Sequence, residues 1–78
     1  MNEKHRRRFV VTFRDQYALR NVDGLLNTDF IGLGKTYCGR DPKVLFLYPF
    51  PHISDVVLKQ TLDELAAVGA LTYVEETR

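Results

Sequence analysis

The chain has one cysteine, Cys38, no tryptophan, two histidines, and no long apolar run. A single thiol excludes an intrachain disulfide and a cysteine-based zinc cluster, and it fits a reducing compartment. No stretch approaches the roughly 18 apolar residues that a membrane span needs. The basic stretch from Lys4 to Arg8 leads into a strand-like run ending at Arg14, not into a long apolar signal region with a small-residue cleavage site. These absences lead us to expect a cytoplasmic protein without a membrane partner.

What is present is an ordinary globular composition, 45% hydrophobic and 27% charged over 78 residues, enough for one domain near the lower end of what a single core can stabilise. The net charge of +1 conceals an asymmetry. Residues 1–20 hold six Lys or Arg against Glu3 and Asp15, whereas residues 55–78 hold five acids against Lys59 and Arg78. A basic arm over 1–7 followed by a single domain over 8–76 is the expected organisation. Such an arm suits nucleic acid or an acidic protein partner; a solvated arm without a role is the plainer alternative.

The domain is organised around Lys43 to Phe50, short, almost wholly apolar, aromatic, and closed by Pro49 and Pro51. That composition predicts a strand, and a strand apolar on both faces belongs in the middle of a sheet. Before it, Arg8 to Arg14 predicts a first strand, with Phe9, Val11 and Phe13 on one face and Val10 and Thr12 on the other. Asp15 is placed to cap a helix over about 15 to 27 bearing Ala18, Val22, Leu25 and Leu26, which Asp23-Gly24 weakens. Phe30 to Tyr37 reads as a second strand with Gly32 and Gly34 on one bare face, and Cys38 to Pro42 as the turn into Lys43.

After Pro51, Ser54 or Asp55 is placed to cap a second helix carrying Val57, Leu58, Thr61, Leu62, Leu65 and Val68 on one side. Gly69 stops it. Ala70 to Glu75 closes the domain as a strand. The order strand, helix, strand, strand, helix, strand, with right-handed crossovers, predicts an α+β, ferredoxin-like plait (βαββαβ). Its four-stranded antiparallel sheet has both helices on one face and the first and third strands at its centre.

The other face stays open. We expect Leu45 and Leu47 to join Phe9, Val11 and Phe13 under the helices, leaving Phe46 and Tyr48 outside beside Val10 and Thr12. In the alternative register the aromatics are core and the leucines lie outside under the arm. Either way an apolar patch emerges, and patches of a few hundred Å² usually mark an interaction site. Val10, Thr12, Phe46 and Tyr48 are thus the candidate partner-binding residues, with Lys4, Arg6, Arg7 and Arg8 steering. The expected partner is a protein or a second copy of the chain in a homodimer.

No catalytic, cofactor or metal site is assigned. Gly34-Lys35-Thr36 lacks the glycine five residues earlier that a phosphate-binding loop needs, because Asp29 stands there. Cys38 and His52 fall at opposite ends of the third strand, more than about 20 Å apart at roughly 3.3 Å per residue. Glu75 and Glu76 point to opposite faces and cannot share a metal; with Asp63 and Glu64 they read as solvating charges. Nucleic acid is the alternative partner, since RNA-recognition modules stack bases on the aromatics of these same central strands. Lys43 to Phe46, however, lacks the glycine and small residues of that signature.

Arg8 to Asp15 resembles the opening strand of subtilisin-type propeptides and the small protease inhibitors related to them. Leu62 to Glu76 resembles their closing helix and final strand. The likeness covers about 23 residues at the two ends of the chain. It implies the same plait, an open sheet face docked on a protease, and a C-terminal tail, here Thr77 and Arg78, directed at the active site.

Overall fold

The computed structural model describes residues 7–49 and 53–77. The elements are β1 (Arg7–Phe13), α1 (Gln16–Asp29), β2 (Gly34–Tyr37), β3 (Val44–Tyr48), α2 (Asp55–Ala67) and β4 (Leu71–Thr77). The sheet runs β2-β3-β1-β4, antiparallel throughout. This is the ferredoxin-like plait, with the two most apolar strands at its centre. Arg7, read as arm, and Thr77, read as tail, both belong to the sheet, paired with each other at its corner.

Alternation decides which face of the sheet is core. Phe9, Val11, Leu45 and Leu47 are wholly buried, and with Phe13 and Leu71 they meet Leu19, Val22 and Leu26 of α1 and Leu58 and Leu62 of α2 in one cluster. Among the described residues the buried class is entirely apolar. No helix among them is long and apolar enough to cross a membrane.

α1 starts where the Asp15 carboxylate accepts the Ala18 N–H at 2.8 Å. It does not stop at Gly24. A mid-helix glycine costs about 1 kcal/mol, whereas burying Leu26 on the stripe Ala18-Val22-Leu26 returns roughly 1.5–3 kcal/mol, so the helix continues to Asp29. Phe30 then caps it, its N–H bonded to Leu26, and is itself buried.

The expected strand over Phe30 to Tyr37 is correspondingly shorter. Gly32 has a left-handed φ of 85°, so it makes a turn rather than a bare strand face, and only Gly34–Tyr37 pairs with β3. Phe30 and Leu33 both tuck into the core, while Ile31 between them is exposed.

α2 is capped by the Ser54 hydroxyl, which accepts the Val57 N–H at 3.3 Å. Its inner face is Leu58, Leu62, Leu65 and Ala66; Val57 and Val68, expected there, are exposed. They lie beyond the arc that the sheet reaches, because a helix resting on one sheet buries only a stripe. The helix ends at Gly69, φ 80°, with Gly69 N–H on Ala66 and Ala70 N–H on Leu65, the paired bonds of a Schellman cap.

Candidate interaction face

The register aligns the open face in rows. Thr36, Phe46, Val10 and Val74 stand side by side across all four strands. One row along, Gly34 lies beside Tyr48, and Arg8 beside Glu76. On the other side Val44, Thr12 and Thr72 line up. Val10, Val44, Phe46 and Tyr48 are half-buried among their neighbours, Thr12 is exposed, and Val74 is 63% exposed. Phe46 and Tyr48 therefore sit on the open face with Val10 and Thr12, and Leu45 and Leu47 lie under the helices.

Arg8 governs one corner. Its guanidinium stands 4.5 Å over the centre of the Phe46 ring, reached diagonally across β1 and β3. Its Nε donates to Glu76 Oε1 at 2.8 Å. Hydrogen bonding to Tyr48, then to Glu76, holds the Arg8 proton more firmly than usual. Arg8 is thus a cation held over an aromatic ring. The stripe beside it, from Thr36 to Val74, is neutral.

Of the expected steering residues, Arg8 joins the face and Arg7 enters β1 opposite Thr77, while Lys4 and Arg6 lie outside the described residues. Val44, Thr72, Val74 and Glu76 complete the face and were not singled out from sequence. The alternation Thr72-Val74-Glu76 was a usable signal, but placing it beside Val10 requires the register of β4 on β1.

The other candidates resolve locally. Gly34, Lys35 and Thr36 lie within β2. Cys38 follows that strand, its N–H donated to Val44 at 3.3 Å, and His52 lies outside the described residues. The acids expected to be solvated are mostly engaged: Asp63 accepts the Tyr73 hydroxyl, Glu75 meets Lys59 at 3.0 Å, and Glu76 meets Arg8. Among the described residues no group of three His, Cys, Asp or Glu could hold a metal ion.

One polar cluster lies on the helix side, at the α1–β2 corner. Lys35 donates to Asp23 and Asn27, one turn apart on α1, and the Tyr37 hydroxyl donates to the other oxygen of Asp23. Burial pushes the Asp23 carboxyl up, but the Lys35 and Tyr37 hydrogen bonds and the Lys35 charge outweigh it and hold it below the usual carboxylate range. The same bond raises the Tyr37 hydroxyl. With its acceptors filled by its own neighbours, this cluster acts as a clasp between helix and strand.

Comparison with protein-family models, with curated proteins and with solved structures finds no match to the chain.

Proposed function

We propose that the chain is a small protein-binding module, a regulator or inhibitor, whose working surface is the open sheet face. The observation that carries this reading is the apolar stripe through Phe46, Val10 and Val74, continuous with Tyr48 and Val44, over which no described helix or strand packs and which only the Arg8 side chain overlies, at Phe46. The partner it fits is a protein with an apolar surface bordered by acids. The stripe supplies apolar contact, and the basic run that precedes Arg8 supplies attraction for negative charge. Binding in a reducing, cytoplasmic setting fits the single thiol.

The test compares proteins retained by the immobilised chain with those retained by Phe46→Ala/Tyr48→Ala, followed by titration of the purified partner. Both side chains are outside the core, so the double variant should keep its circular dichroism and lose the partner. Retention of the same partner at undiminished affinity overturns the reading.

A second reading has one observation in its favour: two rings at alternate positions of β3 on the open face, the arrangement on which single-stranded bases stack. Against it, the Phe46 ring is already occupied by Arg8, and Arg8 is neutralised by Glu76. Nucleic-acid binding predicts an affinity that falls steeply with salt. Absence of a gel shift at low salt removes it.

A further inference from the structure

The two outer strands of the sheet differ in what they offer to a newcomer. An outer strand is a template for further pairing unless it is short, bulged, interrupted by proline, or charged. β2 is only four residues long, and its one charge, Lys35, is matched by Asp23. β4 is seven residues long and free of proline, and it pairs with β1 without a bulge from Arg7 opposite Thr77 to Phe13 opposite Leu71. Its two charges are matched within the chain, Glu75 by Lys59 at 3.0 Å and Glu76 by Arg8 at 2.8 Å. Among the described residues, each of these four means of blocking an edge is thus missing or neutralised.

The hydrogen-bond phase determines how a second strand could be added. Arg14 N–H donates to Ala70 at 2.9 Å, which sets the even-numbered positions of β4 towards β1 and the odd-numbered ones towards the outer edge. When β4 meets a copy of itself antiparallel, odd positions must face odd positions. A two-fold axis through Val74, the middle residue, meets that condition and pairs all seven residues: Leu71 with Thr77, Thr72 with Glu76, Tyr73 with Glu75. An axis through Glu75 sets that acid against its own copy, and one through Tyr73 leaves part of the strand unmatched.

We propose that the chain pairs with a second copy of itself through β4, antiparallel about a two-fold axis at Val74, giving one eight-stranded sheet. In this register both glutamates face hydroxyl-bearing residues, and the two Val74 side chains, each 63% exposed in the single chain, cover one another. On the helix side Val56 shares the flank of α2 with Lys59 and Asp63, the residues that reach over β4, and it is 67% exposed. The two α2 helices thus flank the seam with an apolar residue turned towards it. The open faces join into one platform twice as wide. The proposal concerns the strand edge and holds whatever the face binds.

The mass of the native chain, followed by sedimentation up to about 1 mM, the weak end of specific association, is expected to rise to that of a dimer. A chain that stays monomeric overturns the proposal. Val74→Lys and Val74→Glu each place like charges across the axis; each is expected to be monomeric alone, and an equimolar mixture to recover the dimer. In a Cys38→Ser background, Val74→Cys is expected to cross-link to itself on mild oxidation, because opposed non-hydrogen-bonded positions lie about 4.5 Å apart at Cα, within disulfide reach. Thr72→Cys, facing Glu76 of the second copy, is expected not to. Equal cross-linking at both positions, or a mixture of the charged variants that stays apart, overturns the register. Phe46→Ala/Tyr48→Ala is expected to remain dimeric; a dimer lost with that variant and kept with Val74→Lys assigns association to the face and overturns the edge proposal.

Discussion

β2 and β4 occupy the same place in the two halves of the plait, each the outer strand that follows a helix. Each is tied to its helix by a tyrosine hydroxyl donating to an aspartate, Tyr37 to Asp23 and Tyr73 to Asp63. Their anchorage otherwise differs. β4 is long and drives Leu71 into the core, with Tyr73 edge-on to Phe9 at 5.9 Å between ring centres. β2 is short and has no fully buried side chain, so its attachment to the helix layer rests on Lys35 and Tyr37. An outer strand can be held by apolar burial or by a polar clasp. In both strands the charges are matched within the chain, so length is what separates the two edges: four residues in β2 against seven in β4.

The largest effect should come from removing the apolar anchor. Leu71→Ala is expected to cost about 3 kcal/mol, read as a lower urea midpoint at unchanged slope. Next comes the clasp. Asp23→Ala leaves the Lys35 ammonium, only 14% exposed, without its carboxylate, and is expected to cost about 2 kcal/mol. Equal stability of Asp23→Ala and the native chain would break the comparison, since β2 would then need no clasp.

The same cluster predicts a pH dependence. A carboxyl held below its ordinary range stabilises the fold while ionised, so the Asp23 contribution is present above about pH 4 and is lost as pH falls through the lowered value. The raised Tyr37 hydroxyl acts at the other end, stabilising below about pH 10 and ceasing to do so as pH rises through its folded value. Thermal midpoints across pH should show both limbs, and Asp23→Asn should remove the acid one. The smallest effect belongs to the matching bond on β4: Asp63→Ala, at an exposed site, should cost about 0.5 kcal/mol. A larger loss there than at Asp23 would reverse the assignment of the two anchorages.

Much of this arrangement could be read before the fold was known, and the reasons are physical. Alternation in Phe9-Val11-Phe13 and Leu45-Leu47 marks the buried face because a strand has a period of two. The order of elements then leaves few ways to close a sheet. The α1–β2 connection was misread because Gly32 is compatible with both a strand and a turn, and the burial of Phe30 and Leu33 decides between them. Val57 and Val68 were placed inward because their helical spacing fits a wide stripe, while the covering layer is one sheet wide. The clasp left no local signal: Asp23, Asn27, Lys35 and Tyr37 are ordinary polar residues until the crossover brings them together. On the open face the side chains follow from alternation, but their rows follow only from the register of β4 on β1.

That register has a consequence for how the chain comes to be folded. The β1–β4 ladder joins residues as far apart as Arg7 and Thr77, so the central strand acquires its second neighbour only once the sixth element has been made. Until then β1, with its run of Phe9, Val10 and Val11, is itself the rim of a three-stranded sheet, and contacts this distant in sequence form slowly. The interval between making β1 and making β4 is when the nascent chain is most exposed to association with its neighbours. Docking of residues 71–77 ends that interval and moves the exposed rim from a strand of core residues to one whose charges are already paired.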